Sequence, residues 1–356
     1  MDNITQDSIK NGLCGLYRKY GYSAFKVSKF EEYDFYAQNR SFLSCKRVLT
    51  FNDTDGRLMA LKPDVTLSII KNITANDKLR KLYYTENVFR VGNNGDGFRE
   101  IMQTGLEYIG KLDSCAIAEV LALSAKSLEL VSEAYRLDIS DLRIISGILD
   151  DEGIEQEKRS AIFKSISRKN PHGTADICAA AGMSDFGISL INELSAIYGG
   201  LEESLEKISR LPLPRRSREA VGMLSKISES LKCYGIKNAM LDMTLVSDSE
   251  YYTDIVFGGY VAGVPNQVLA GGSYDGLMRK MNKPQNAIGF AVYLDRLEAL
   301  GYGVQKLDGD VLLLASEENM PKAIMQAEQL RAEGKTVLLC AEAPEELKFN
   351  EVIEVK

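Results

Sequence analysis

Between Asn87 and Gly110 the sequence NVFRVGNNGDGFREIMQTGLEYIG carries Arg90, Arg99, Gln103 and Glu107 on what reads as two alternating strands joined by a Gly/Asn turn. Strand side chains alternate faces, so Gln103, Gly105 and Glu107 project together, while Met102, Leu106 and Ile109 are expected off that face. Arg90 and Arg99 flank the turn over the polar face. A carboxylate accepts hydrogen bonds, an amide gives and takes them, and a guanidinium holds either a carboxylate or a phosphate. Together they can bind a small charged molecule.

Other chemistries are poorly provided for. The chain of 356 residues has one histidine, His172, in a polar stretch beside Pro171 that reads as an exposed loop, which leaves little room for Ser-His-Asp, Cys-His or histidine-rich metal chemistry. Its six cysteines (Cys14, Cys45, Cys115, Cys178, Cys233, Cys340) form no Cys-x-x-Cys pair, so neither a zinc site nor a disulfide framework is expected, only reduced, half-buried packing residues. Asp53-x-Asp55-Gly56 lacks the closing glutamate of a calcium loop and reads as a turn. No metal and no cofactor are expected. A net charge of −7 gives no broad positive field for nucleic acid, and the basic run LPLPRRSREA at 211 to 220 reads as a solvated helix start after two prolines. The first residues lack a signal-peptide profile and no apolar run is long enough to cross a membrane, so a cytoplasmic location is expected.

The elements that must carry the hairpin follow from spacing. Ile9, Leu13, Leu16, Tyr17 and Tyr20 predict an amphipathic helix from Asp7 to Tyr20, closed by Gly21. RVLTFND and RLMAL around Thr54-Asp55-Gly56 predict a hairpin, and in LKPDVT at 61 to 66 Pro63 marks a possible helix start with Asp64 near its positive end. Asp113 caps a helix expected to run to about Tyr135, LRIISGIL reads as a buried strand, and residues 151–235 as a helical insertion broken by Gly and Pro. Strands return in NAMLDMTLV, YYTDIVFGGYV and NQVLAGGSYDG, followed by AIGFAVYLDRLEAL, read as a helix. From Asp310 onward a strand, helix, strand unit closes the chain. This is an α+β pattern with one broad antiparallel sheet flanked by helices. Domains are expected at 1–150 with 236–306, at 151–235, and at 307–356.

Several pieces, in order, resemble the histidyl-tRNA synthetase family of class II aminoacyl-tRNA synthetases over roughly residues 7 to 302. LKPDVT resembles that family's Leu-Arg-Pro-Glu-x-Thr, the Asn87 to Gly110 hairpin its motif 2, EYYTDIVF and AGGSYDGL its two histidine-specific motifs, and AIGFAVYLDRL its motif 3. The resemblance implies a histidine pocket made by Asp64, Thr66, Gln103, Glu107, Tyr252 and Tyr274, with Tyr251 adjacent and Arg90 available to a bound carboxylate. It also implies relic nucleotide contacts at Arg90, Arg99 and Arg296, although Arg296 could equally be structural.

The reaction half of the pattern departs. Val91 and Gly92 follow Arg90 where the family has an acid, Gly97-Phe98-Arg99 stands for Arg-Tyr-Arg, and Ser247 replaces the arginine that would neutralise charge during adenylation. Losing one such preorganised positive group costs on the order of 10² to 10³ in rate. Lys29 also stands where motif 1 has a proline, and the C-terminal unit resembles a shortened anticodon-binding domain. This combination resembles the regulatory subunits of short-form ATP phosphoribosyltransferase. That resemblance implies a non-catalytic chain that binds L-histidine, partners the short catalytic subunit as a homodimer within a hetero-oligomer, carries feedback inhibition of histidine biosynthesis, and needs no tRNA. The alternative is an active histidyl-tRNA synthetase or related amino-acid-adenylating enzyme.

Overall fold

The computed structural model describes residues 6–43, 47–91, 97–246, 251–300, 308–344 and 346–356. Cys45, Gly92 and Ser247, weighed above, lie outside the described residues. The chain divides into two compact units, one over Gln6–Leu300 and one after Leu300.

The larger unit opens with α1 (Gln6–Lys19), which buries Ile9, Leu13 and Tyr17 at four-residue spacing and ends before Gly21, whose φ of 81° suits a residue without a Cβ. β1 (Ser23–Ala24) follows, then β2 (Phe30–Glu32), α2 (Tyr33–Gln38), β3 (Thr50–Asn52) and β4 (Leu58–Leu61). The last three strands form a small antiparallel sheet in the order β2-β4-β3. A short helix, α3 (Thr66–Lys71), leads to the long hairpin of β5 (Arg80–Val91) and β6 (Phe98–Gly110). After α4 (Ser114–Val131) and β7 (Tyr135–Asp141) come the helices α5 (Leu142–Asp151), α6 (Gln156–Ser167), α7 (Pro171–Ala181) and α8 (Asp185–Ser195). Then follow β8 (Tyr198–Gly200), α9 (Leu201–Ser209), α10 (Arg215–Cys233), β9 (Ala239–Asp242), β10 (Ile255–Val261), β11 (Leu269–Ser273), α11 (Asp275–Lys280) and β12 (Asn286–Tyr293).

Nine strands join in the order β1-β5-β6-β12-β11-β10-β7-β9-β8. The expected antiparallel sheet is therefore mixed: β1 with β5 and β7 with β9 run parallel, and the other pairs are antiparallel. The helical stretch is not wholly separate, because β8 within it adds the terminal strand of this sheet.

Several expectations are overturned. LRIISGIL is helix α5, not a strand: Leu142, Ile145, Ile148 and Leu149 repeat at three and four residues, and the side chain of Asp141 caps the helix by accepting from Arg143 N at 3.0 Å. The helix capped by Asp113 ends at Val131, and Tyr135 already belongs to β7. AIGFAVYLDRLEAL is mainly strand: β12 lies between β6 and β11, and only Leu294–Leu300 coils, as a 3₁₀ turn. Its alternation of Ala287, Gly289 and Ala291 with Ile288, Phe290 and Val292 is the period of a two-faced strand, obscured because small residues also read as apolar.

His172 is exposed as expected, but it sits in the first turn of α7, where Asn170 caps and Pro171 takes the first position. Among the described cysteines Cys178 is buried, Cys14 and Cys340 half-buried, and Cys115 and Cys233 exposed, so the last two are not the packing residues expected. Among the described residues no helix is long and apolar enough to cross a membrane.

The C-terminal unit is a parallel sheet in the order β14-β13-β15, made of β13 (Gly309–Ala315), β14 (Val337–Cys340) and β15 (Phe349–Val355). Ala323 and Ala327 of α12 (Met320–Ala332) pack on Val311, Leu313 and Val337. β15 adds a third strand to the expected strand, helix, strand unit.

Candidate functional site

The β5–β6 register decides which side chains meet. Leu82 lies opposite Glu107, Tyr84 opposite Gly105, Glu86 opposite Gln103 and Arg90 opposite Arg99, so the polar face read from the sequence is one face of the hairpin. Ile109 shares the parity of Glu107 and is buried in the core under that face beside Leu82, Tyr84 and Val88, contrary to expectation. β12 then places Gly289 opposite Glu107. A Cβ on Gly289 would lie 1.8 Å from Glu107 Oε2, so only glycine leaves room for the carboxyl group to lie across the sheet. Gly272 does the same for Tyr252, whose ring would be 2.5 Å from an added Cβ.

The facing wall is the segment before α3. Lys62 is fully buried with its ammonium 2.7 Å from Glu86 Oε2, and its backbone accepts from Phe89 N and donates to Lys29 O, each at 2.9 Å. Arg90 Nε donates to Pro63 O at 2.8 Å. These bonds strap the wall to β5, so that Asp64 and Thr66 face Gln103 and Glu107. Asp64 also accepts from Leu67 N at 2.9 Å, the role at a helix start that the sequence allowed it.

Glu107 accepts from Thr66 Oγ1 at 2.8 Å and from Tyr274 OH at 2.6 Å. Burial nevertheless pushes its carboxyl up to about 8; the two hydroxyls oppose the rise and nearby Asp64 adds to it. Asp64 is raised by burial too, against the pull of the Arg90 guanidinium, 3.8 Å away. Gln103 is 3% exposed and its Nε2 has no protein partner. A buried amide donor left open in a cavity calls for an acceptor from a ligand, or, with the amide turned over, a donor.

These groups enclose a cavity of about 290 Å³ lined by Asp64, Thr66, Arg90, Gln103, Glu107, Tyr251, Tyr252 and Tyr274, and also by Phe42, Tyr84 and Tyr293. Its size is at the small end of ligand pockets, about 300 to 1,000 Å³. Tyr251 packs edge-on against Tyr252 with centroids 4.8 Å apart and lies 6.2 Å from Tyr274, giving aromatic walls around a polar floor. The eight residues proposed for the ligand are thus brought together. Arg99 and Arg296 are not in the lining: Arg99 is exposed opposite Arg90, and Arg296 stacks on the Tyr293 ring at 4.1 Å while donating to Gln267 O. Tyr84, Tyr293, Lys62 and Glu86 were missed by sequence reasoning. Strand parity with Arg90 was a usable signal for Tyr84 and Glu86. Nothing in the sequence signals Lys62, whose role depends on a wall folding back over β5.

A sequence profile described as histidyl-tRNA synthetase matches residues 3–297. The chain is 30% identical to an ATP phosphoribosyltransferase regulatory subunit from Clostridium kluyveri, over 92% of this chain and 86% of that one. It is 28% identical to another so named from Caldanaerobacter subterraneus subsp. tengcongensis, over 96% and 92%. Among solved structures it is similar to an ATP phosphoribosyltransferase regulatory subunit/histidyl-tRNA synthetase from Bacillus halodurans C, with a TM-score of 0.81 at 24% identity, covering 100% of this chain and 96% of the other. It is also similar to histidyl-tRNA synthetase from Nostoc sp. PCC 7120, with a TM-score of 0.78 at 18% identity, covering 96% and 83%. The structural likenesses establish the fold of the class II synthetases.

Proposed function

The chain belongs to the histidyl-tRNA synthetase family and, within it, to the ATP phosphoribosyltransferase regulatory subunits, and on that premise we propose that it binds free L-histidine in the Glu107 cavity. In this reading it partners a short-form ATP phosphoribosyltransferase catalytic subunit as a homodimer within a hetero-oligomer in the cytoplasm. It activates that subunit, conveys histidine's inhibition to it, and catalyses no reaction itself.

The observation that carries the reading is a buried carboxyl group, held by two hydroxyls, beside an unpartnered amide in an aromatic-walled cavity of amino-acid size. An imidazole is flat, apolar on its faces, and carries one donor and one acceptor nitrogen when neutral. With Glu107 still protonated near neutral pH, a ring nitrogen entering beside it meets a group able to give or take a proton. Asp64 suits the ligand's ammonium and Arg90 its carboxylate. The ligand set thus needs no nucleotide.

The adenylating reading lacks support from the same residues. Ser247 is where the sequence pattern calls for a positive group, and Arg296 is turned to Tyr293 and Gln267 O. Titration calorimetry with L-histidine is the test, and saturable binding at one site per chain is expected. No heat at millimolar ligand, or histidine-dependent exchange of pyrophosphate into ATP, would each overturn part of the proposal: the first the pocket, the second the lack of catalysis.

A further inference from the structure

One residue borders two cavities. Tyr252 walls the Glu107 cavity and also a second one of about 500 Å³, which is bordered by Thr253 and Asp254, by Asp150 of α5, Gln156 and Arg159 of α6, and Arg216 of α10. Arginines and aspartates are mixed along this lining, and Asp150 is already held by both Arg159 and Arg216, so the charges neutralise one another and point to no ligand of either sign. Instead the second cavity is room into which the wall of the first can move. We propose that the segment Tyr252–Asp254 passes occupancy of the Glu107 cavity to the helices α5, α6 and α10, with the contact between Asp254 and Arg143 as the joint. The proposal rests on the histidine reading above and specifies its regulation.

The middle of the segment is fixed to β11, with Thr253 N donating to Ser273 O at 2.8 Å, so the movement falls to its side chains. Towards the sheet, the Tyr252 ring is stopped by the backbone at Gly272, where even a Cβ would not fit, and Tyr251 packs against its edge. A ligand pressing on Tyr252 from the Glu107 cavity therefore displaces it towards the second cavity. Two residues on, Asp254 is tied to α5 by its main chain, with Leu142 N donating to Asp254 O at 2.9 Å, and to β11 by Ser273 Oγ, which accepts from Asp254 N at 3.2 Å.

The Asp254 carboxylate is held more loosely. It lies 3.8 Å from Arg143, a third exposed, whereas Arg143 is clamped to the buried cap residue Asp141, with Nη2 at 2.6 Å and Nε at 2.9 Å. A charge-assisted hydrogen bond closes at about 2.7 to 2.9 Å, so the gap to Asp254 is about one ångström longer than a made bond. Closing or opening it pulls on the first turn of α5. That helix spans ten residues, roughly 15 Å at 1.5 Å per residue, and its far end holds α6 and α10 through Asp150 with Arg159 and Arg216. A displacement at Tyr252 thus has a contiguous path of named contacts to two further helices. A ligand shifts such an equilibrium only by binding its two positions unequally.

The test uses the full chain and its Asp254→Asn variant, both carrying Gln156→Trp; the parent has no tryptophan, so Trp at the exposed α6 position in the second cavity is the sole indole reporter. Calorimetry gives the histidine Kd and indole fluorescence reports the α6 wall. The assembled enzyme with a short catalytic subunit gives the half-inhibitory histidine concentration. We expect the histidine Kd of the isolated Asp254→Asn chain to move less than its half-inhibitory concentration, because the variant keeps every residue that lines the Glu107 cavity. The fluorescence response should be lost, and the half-inhibitory concentration should rise at least about fivefold, the lower end of ordinary allosteric coupling. If the parent binds histidine with no indole response, or if the variant's Kd and inhibition move together, transmission through Asp254 is overturned and the pocket stands. If the parent binds no histidine, the pocket reading fails and takes this proposal with it.

Discussion

Glu107→Gln at varied pH tests the physical core of the site without needing a ligand. In the folded chain burial holds the Glu107 proton to about 8, whereas an unfolded glutamate ionises near 4.3. Between those values the native state binds a proton that the unfolded state lacks, so native stability falls as pH rises through the window and levels off above about 8. The slope approaches ~1.4 kcal/mol per pH unit inside the window, or ~2 kcal/mol between pH 6 and 7.5. Glutamine has the same shape, keeps an acceptor for Thr66 or Tyr274, and does not titrate. The variant should therefore gain on the parent as pH rises: its melting temperature minus the parent's should climb by about 4 °C between pH 6 and 7.5, at about 2 °C per kcal/mol for a large domain. Differential scanning fluorimetry in a constant-ionic-strength buffer series from pH 5 to 8.5 reads this directly. Parallel curves, with a difference constant to within about 1 °C, would show that Glu107 is not held protonated and remove the basis for its proton-sharing role.

Three further outcomes follow from particular contacts. Gly289→Ala drives a Cβ into the space of Glu107 Oε2 and should cost about 1 to 3 kcal/mol in urea denaturation and abolish calorimetric histidine binding; parent-like values of both refute the packing account. Lys62→Met leaves the Glu86 carboxylate facing the interior and should cost about 3 to 5 kcal/mol, with partial recovery on adding Glu86→Gln; a loss below about 1 kcal/mol would mean that the pair is hydrated and does not hold the wall. Thr66→Val removes one hydroxyl that holds the Glu107 pKa down, so that pKa should rise further and histidine affinity fall about tenfold, as for one lost hydrogen bond; an unchanged Kd in calorimetry at pH 7.5 would exclude that contact.

The hairpin could be read from the sequence because strand parity is a local rule. Once Asn87–Gly110 is taken as two strands, the sharing of a face by Gln103, Gly105 and Glu107 follows, and the register opposes Arg90 to Arg99 as that reading needs. Asp64, Thr66, Tyr251, Tyr252 and Tyr274 were reached only through resemblance, since no local rule brings residues 64, 103 and 274 together. The misreadings have a common cause. LRIISGIL and AIGFAVYLDRL are short apolar runs in which periods of 2 and 3.6 both find partners, and it was tertiary position that decided: a helix capped by Asp141 in one case, a strand between β6 and β11 in the other. β15 escaped notice because the apolar residues of FNEVIEV do not alternate strictly and most of the strand is exposed.

The depth of the hairpin explains how its ligand half can be kept while its reaction half changes. Gln103 and Glu107 lie where β6 is covered by β5 on one side and β12 on the other, both almost wholly buried, so every polar atom there must find a partner or a ligand. Replacing Glu107 by a residue without an acceptor leaves Thr66 and Tyr274 without their partner, which costs about 1 to 3 kcal/mol of folding stability before any effect on function. The described residues next to the tip are under no such constraint. Phe98 and Arg99 are exposed, and Gly97 holds a φ of 85° that a glycine adopts freely and an arginine only with strain. Substitutions at Phe98 and Arg99 therefore touch stability little, whereas the second arginine that adenylation would need falls at Gly97, where it would be strained. Changes at Phe98 and Arg99 thus cost folding little, whereas a change that removes the Glu107 acceptors costs stability and also the pocket that β6 forms with the segment before α3 and with Tyr251, Tyr252 and Tyr274.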